Sequence, residues 1–224
     1  MTPDLLLAFV LFAFATAGTP GPNNMMLLAS GANFGFRRTI LHILGISAGL
    51  GVMVVAMGWG LSSVFKTFPV LHEILKWVGA AYMLWLAWKI ATATGINDKA
   101  AAGQPMTFLE AAGFQWLNPK AWAMAIGAVT TYAPEGSGSQ TVLILAGTFM
   151  LVGVPCCAVW TGFGQAMRRF LDKPVVLRVF NVTMAVLLVA SLYPLFVEHP
   201  AGPARAAHEA AIEAPALPVV GSHG

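Results

Sequence analysis

Charge is scarce in this sequence. Asp, Glu, Lys and Arg make up 9% of the 224 residues, against roughly 25% in a soluble domain. Hydrophobic residues make up 58%, more than a soluble protein this short can hide from water. A bilayer resolves the conflict, because lipid-facing side chains should be apolar. Cysteine is almost missing as well. Cys156 and Cys157 are neighbours in an apolar segment, which excludes a disulfide framework and suits small packing residues. There is no Gly-rich phosphate loop, no metal-ligand cluster and no nucleophilic triad. The chain therefore offers no cofactor site, no catalytic machinery and no ATP-driven step of its own. Its net charge of +3 is small and its basic residues are dispersed, which marks membrane orientation and not a nucleic-acid patch. No Lys or Arg precedes the first apolar run, and Asp4 is the only early charge. The run Ala15-Thr16-Ala17 resembles a cleavage site, but an uncleaved first span is the expected reading.

What the sequence does have is six apolar segments, at about 5–28, 39–64, 70–91, 108–132, 141–163 and 175–197. Each is near the length of about 20 residues that a spanning helix needs. The expected fold is an all-α integral membrane protein with six transmembrane helices. Three spans in each half allow a 3+3 inverted repeat, at about 1–91 and 107–197, inside one membrane domain of residues 1–197. The remainder, 198–224, is Ala- and Pro-rich with scattered charges and is expected to be a disordered tail outside the membrane.

The loops sort by charge. Arg37 and Arg38 lie between the first two segments, Lys89 and Lys99 around the third loop, and Arg168, Arg169, Lys173 and Arg178 around the fifth. The alternate side has Lys66, Lys76 and the distal Arg205. Cytoplasmic loops are enriched in Lys and Arg, so the odd-numbered loops are expected inside and both termini outside. Small residues recur along the second and fifth segments, as Gly45, Ser47, Gly49 and Gly51, then Gly147 and Gly153. Similar clusters, Trp59-Gly60 and Trp160-Thr161-Gly162, end these segments. Close helix packing accounts for such glycines without a transport role.

Two motifs interrupt the apolar pattern. The first is Thr19-Pro20-Gly21-Pro22-Asn23-Asn24. Proline lacks a backbone donor and clashes with the preceding turn, so two prolines around a glycine should break the first span. The freed backbone groups cannot face lipid and must be buried in protein or line a polar cavity. Asn23 and Asn24 begin the resumed helix, whose N-terminus favours a carboxylate. The bland alternative is a kink in which both amides satisfy the freed backbone.

The second motif is Gln115, Asn118, Pro119 and Lys120 in the fourth segment, between Trp116 and Trp122. Pro119 pushes Asn118 away from helical geometry. A lysine inside an apolar span costs a few kcal/mol even on the lenient insertion scale and needs a reason. The alternative is that Lys120 snorkels to an interface. Two broken helices at corresponding positions of two halves are a pointer to a transporter binding site. Weaker candidates are Glu110, which suits a helix N-terminus, His42, which titrates near neutrality, and Asn181. Trp77, Tyr82, Trp85 and Trp88 fit interface anchors.

At these motifs the sequence resembles the LysE/RhtB family of amino-acid exporters. The matching residues are Thr19 to Asn24, then Gly31, Gly35, Gly45 and Gly49, and the segment Leu117-Asn118-Pro119-Lys120-Ala121. The likeness runs to about Val197. Met1-Thr2-Pro3, Gly35-Phe36-Arg37-Arg38 and Leu86-Ala87-Trp88-Lys89-Ile90-Ala91 resemble the cysteine and O-acetylserine exporter branch. The resemblance implies secondary export of amino acids or derivatives (threonine, homoserine or cysteine-like) across a bacterial inner membrane, coupled to the proton gradient. A homodimer is one assembly this reading allows. On the residues themselves, the substrate carboxylate would meet the N–H groups after Pro22 and the Lys120 ammonium. Its ammonium would meet carbonyls freed before Pro20 and the oxygens of Asn23, Asn24 and Asn118. No acidic residue lies deep in the second or fifth segment, so small neutral substrates are expected over lysine or arginine. Lys120, His42 and Glu110, in that order, are the titratable candidates for coupling.

Three rival readings have distinct signatures. A thiol-redox carrier needs cysteines that approach across the repeat, whereas Cys156 and Cys157 are adjacent. A carrier of ions or metals needs intramembrane Asp, His or Cys clusters. A non-transporting subunit leaves the paired breaks without a purpose.

Overall fold

The computed structural model describes residues 1–61, 67, 69–93, 104–133, 138–171 and 173–193. Among these, every regular element is helical. The first apolar segment forms α1 (Pro3–Gly18) and α2 (Pro22–Phe34). Thr2 caps α1 by accepting from Leu5 N–H, and Pro3 stands at the first helical position, where its missing donor does no harm. Ahead of Pro20, Thr19 is extended, with φ −68° and ψ 146°, as the proline ring requires. The chain restarts at Pro22, and the two helices are bent by 57°. Gly35, at φ 81°, makes the one-residue turn into α3 (Phe36–Ala56); a side chain is strained in that region. Gly35 has no side chain to cap α3, so Gln165 Oε1 accepts from Phe36 N–H instead. A wider π turn, Met57–Leu61, ends α3.

The third segment is α4 (Pro69–Ala91). The fourth begins with α5 (Phe108–Phe114), whose Thr107 and Glu110 form a reciprocal capping box. It tightens into a short 3₁₀ turn, Gln115–Leu117, and Asn118 turns extended before α6 (Pro119–Tyr132). The fifth is α7 (Ser139–Met167), followed by a 3₁₀ turn, Arg168–Phe170, and the sixth is α8 (Pro174–Ala190). The expected tail, 198–224, and Lys66, Lys99 and Arg205 lie outside the described residues.

Helix α7 packs along α1, α2 and α3, α5 packs along α3, and α4 packs on α8. Glycine makes the tightest of these contacts. A Cβ on Gly31 would land on the Thr161 carbonyl, and one on Gly164 on the Leu28 carbonyl, so α2 and α7 touch backbone to backbone. A Cβ on Gly49 would stand 2.6 Å from the Ala112 carbonyl oxygen of α5. Gly147 differs from the sequence expectation, with only open space beside it. Trp160 also differs from an end-of-helix anchor, since α7 continues two turns beyond it.

The two ends of the bundle are unlike. At one end Phe9, Phe12, Tyr132 and Phe149 form a continuous aromatic cluster, with ring centroids 5.0–6.2 Å apart. It belongs to an extensive buried core with Met53, Met57, Trp122 and Leu145. At the other end Gly35 faces Arg168 and Gln165, and Asn33 exchanges amide hydrogen bonds with Asn181, which also donates to Ala93 O. Arg37, Arg38, Lys89 and Arg168 fall at this second, basic end, by their places at the ends of α2, α3, α4 and α7.

Leu11, Phe14, Val52, Leu151, Val159 and Val186 point outward and are exposed. So continuous an apolar exterior suits lipid and not water. By length and composition Phe36–Leu61 and Ser139–Phe170 can each cross a membrane, and the bent pair α1–α2 makes a third if it is one span. Helix α8 is apolar but shorter.

Candidate functional site

The two helix breaks meet. Lys120, in the first turn of α6, reaches across to the first break. Its Nζ donates to Thr19 O at 2.6 Å, to Thr19 Oγ1 at 2.8 Å and, longer, to Pro20 O at 3.4 Å. These carbonyls lie just past the end of α1, where proline interrupts the helix and leaves them without helical N–H partners, so Lys120 does not snorkel away. Gly21 leaves room for the contact, because a Cβ there would stand 2.7 Å from Lys120 Cδ.

Each break also satisfies itself locally. Asn24 Nδ2 donates to Ala17 O at 2.9 Å and Thr19 O at 2.7 Å, tying the end of α1 to the start of α2. Asn118 is buried, and its Oδ1 accepts from Lys120 N–H as the α6 cap. Trp122 Nε1 donates to Trp116 O, and Trp160 Nε1, arriving from α7, donates to Gly18 O. One indole thus seals a carbonyl at each break. Pro22 and Pro119 stand at first helical positions.

Asn23 and Gln115 pair with each other across the breaks. Asn23 Nδ2 donates to Gln115 Oε1 at 2.9 Å, and Gln115 Nε2 donates back to Asn23 Oδ1 at 3.2 Å and to Ala111 O at 2.9 Å. Gln115 is fully buried. The ten residues expected at the site, Thr19 to Asn24 with Gln115, Asn118, Pro119 and Lys120, therefore form one polar assembly. Of the oxygens expected to receive a substrate ammonium, Thr19 O and Pro20 O are engaged in this conformation by Lys120, Asn23 Oδ1 by Gln115 and Asn118 Oδ1 by the Lys120 amide.

A cavity of about 30 Å³ lies within this assembly. A buried water needs about 10–15 Å³, so the space suits one or two waters and not an amino acid. Gly21, Asn23 and Lys120 line one side, and Ser47, Gly153 and Cys157 the other. Helix α2 starts here without a side-chain cap, which turns a partial positive charge toward the cavity. With Lys120 it makes the site electropositive, and no carboxylate lines it. An anion group such as a carboxylate fits.

Sequence reasoning treated Ser47 as a packing residue. The structure buries its hydroxyl with no hydrogen-bond partner, 3.3 Å from where a Cβ on Gly153 would stand. A hydroxyl in the middle of the apolar, glycine-rich stretch from Ile43 to Ala56 is the available signal. The other sequence candidates lie elsewhere. Glu110 is exposed and held in its capping box, Asn181 pairs with Asn33 at the basic end, and His42 lines a separate cavity there. Trp77, Trp85 and Trp88 are outward-facing. Among the described residues there is no group of side chains able to hold a metal ion. Cys156 and Cys157 are both free and buried.

No solved structure matches this chain. It is similar to the cysteine/O-acetylserine efflux protein of Salmonella paratyphi A (strain ATCC 9150 / SARB42), at 35% identity over 197 residues, which cover 88% of this chain and all of that relative. The cysteine/O-acetylserine efflux protein of Escherichia coli (strain K12) is 33% identical over 198 residues, again 88% of this chain and all of the relative. The family model for LysE type translocators matches residues 14–191, a stretch that holds both helix breaks and Ser47. This chain belongs to the LysE type translocator family.

Proposed function

We propose that this chain is a secondary exporter of small neutral amino acids and their derivatives, of the cysteine and O-acetylserine kind, across the bacterial inner membrane. The observation that carries the reading is Lys120 from one broken helix holding the carbonyls freed at the other, beside an electropositive cavity without carboxylates. Lys120 Nζ occupies the place a substrate ammonium would take. A zwitterion entering the opened site exchanges partners with it. The substrate carboxylate takes Lys120 and the uncapped start of α2, and the substrate ammonium takes the Thr19 and Pro20 carbonyls. Ser47 supplies a further hydrogen bond. No acid awaits a cationic side chain, which disfavours lysine and arginine as substrates. The small cavity makes this conformation a closed one, and transport requires the halves to separate.

The reading includes six spans in a 3+3 inverted repeat, at about 1–91 and 107–197 within a membrane domain of 1–197. The packing pattern supports it. Exchange of the halves turns the α1–α7 contact into α5–α3 and α2–α7 into α6–α3, and all four occur. The basic end then faces the cytoplasm, both termini face outward, and residues 198–224 form an extracytoplasmic tail. Export is coupled to the proton gradient, with Lys120 as the first candidate for the coupled proton.

The test is efflux from cells preloaded with labelled neutral and cationic amino acids. Wild type, Asn118→Ala and Lys120→Ala are compared at matched membrane abundance, with and without an uncoupler. The expected result is efflux of a small neutral amino acid that both substitutions and the uncoupler abolish. Export of lysine without any neutral amino acid, or no efflux from well-inserted wild type, would overturn the reading.

A further inference from the structure

A second cavity, of about 270 Å³, opens at the basic end between α2, α3, the end of α4 and residues 104–106. At the liquid share of about 30 Å³ per water it has room for about nine, which is the scale of a small amino acid. His42 lines it and is only 2% exposed, yet neither ring nitrogen has a hydrogen-bond partner among the described residues. A buried imidazole left without partners is costly. Its polar neighbours are already engaged. Ser30 bonds Thr39, which bonds Gly35 O, and Asn33 bonds Ala29 O and Asn181. Lys89 stands exposed on the same lining, 4.6 Å over the Trp85 ring and in no close ion pair among the described residues, although the Glu110 carboxylate is near enough to interact electrostatically with it and with His42. The carboxylate of Glu110 on α5 is held by Thr107 N–H and Oγ1.

Among the described residues, an apolar cluster shares lining residues with both this cavity and the central one. It consists of Leu27, Ile43, Ile46, Ala111 and Cys157, with Met106 packed against it. Met106 lines the large cavity, and Ile46 and Cys157 line the small one. On the opposite side the central cavity is closed by the deep aromatic core around Phe9, Phe149 and Tyr132. The cluster between the two cavities is smaller than the aromatic core on the opposite side.

We propose that the His42 cavity is a second binding station for the zwitterionic substrate, an inner vestibule occupied before the intervening apolar cluster parts. This rests on the exporter reading and on its cytoplasmic placement of the basic end. Lys89 at the mouth takes the substrate carboxylate. A His42 ring nitrogen accepts from the ammonium, or its N–H donates to a polar side group. The vestibule offers a cation and no carboxylate among its described lining residues, and the nearby Glu110 is committed to Thr107, so the vestibule favours neutral amino acids as the central site does.

The experiment uses everted membrane vesicles of the full chain, energised by an acid-inside pH gradient, with labelled O-acetylserine as the probe. The concentration for half-maximal uptake is measured for wild type, His42→Phe and His42→Gln. Ser30→Cys is then labelled with a small maleimide, with and without O-acetylserine, against the wild-type background of two buried cysteines. Loss of one hydrogen bond on the order of 1.4 kcal/mol corresponds to a tenfold change. The expected result is half-saturation raised about tenfold in His42→Phe at near-normal maximal rate, with His42→Gln close to wild type, and slower labelling of Ser30→Cys when O-acetylserine is present. If His42→Phe does not insert, protection of Ser30→Cys decides alone. Unchanged half-saturation together with unprotected labelling, while wild type still transports, overturns the vestibule and leaves the exporter reading standing. Absence of wild-type transport overturns both.

Discussion

Lys120→Gln is the most informative single change. The lysine makes two short bonds to Thr19, at 2.6 and 2.8 Å. Hydrogen bonds involving a charge contribute about 1.5–3 kcal/mol each, so the pair gives about 3–6 kcal/mol. Against this stands the cost of an intramembrane lysine, about 2.5–3.5 kcal/mol on the insertion scale. The two largely offset each other. The variant should insert, with stability lowered by no more than about 3.5 kcal/mol. Transport should suffer more, because the substrate carboxylate loses its cation outright. One such bond, about 1.5–3 kcal/mol, converts to half-saturation weakened about 10- to 150-fold. The assay is uptake of labelled O-acetylserine by everted vesicles at matched abundance. Half-saturation within about twofold of wild type would refute the partner exchange, since that scheme cannot lose its only cation for less than the lower bound. The same vesicles test coupling. If Lys120 carries the coupled proton, residual uptake by the variant no longer responds to the pH gradient, and an unchanged response removes Lys120 from that role.

Three further changes separate site from scaffold. Ser47→Ala deletes a buried hydroxyl with no partner, so the melting temperature in detergent should hold or rise, while half-saturation for uptake weakens by about 3- to 10-fold; a fall in melting temperature with normal uptake would make Ser47 structural. Gln115→Leu strands the Asn23 amide and should cost about 1–3 kcal/mol, whereas Asn23→Leu with Gln115→Leu should be non-additive by about 0.5–3 kcal/mol; strict additivity in thermal melts would mean that the pair is not coupled. Gly31→Ala drives a Cβ onto the Thr161 carbonyl of α7, and overpacking of about 1–3 kcal/mol or more should reduce membrane abundance in a quantitative blot, with wild-type abundance ruling out backbone contact there.

Much of the local structure was legible in advance, because its causes are local. Proline lacks a donor and restricts the residue before it, so the breaks at Pro20–Pro22 and Pro119 needed no knowledge of neighbours. Thr107 and Glu110 stand at capping-box spacing, which turned the expectation of a helix N-terminus at Glu110 into a specific pair of bonds. The apolar segments located the α-helices among the described residues, although α2 runs on to Phe34, past the expected end at about 28, α3 begins earlier than expected, at the Gly35 turn, and α7 continues to Met167. The glycine pattern was less informative. Gly31, Gly49 and Gly164 meet backbone, whereas Gly147 meets nothing, and only a neighbouring helix decides which.

The chemistry of the cavities was settled by distant parts of the chain. Lys120 and Thr19 are far apart in sequence, and nothing local says that the ammonium of one break satisfies the carbonyls of the other. Asn23 was expected to offer an oxygen to substrate, yet Gln115 takes it, because a fully buried amide and a half-buried one at contact distance bond each other in preference to empty space. In the sequence Ser47 reads as a packing residue and His42 as a titratable candidate. Packing makes them conspicuous by burying them without partners. The sequence by itself determined the composition that demands a bilayer, the places where helices must break and the charge that marks one end, since each follows from a residue's own covalent chemistry. Tertiary structure alone decided which freed carbonyl meets which donor and which polar group is left unpaired, because hydrogen bonds across a bundle depend on how backbones approach in space.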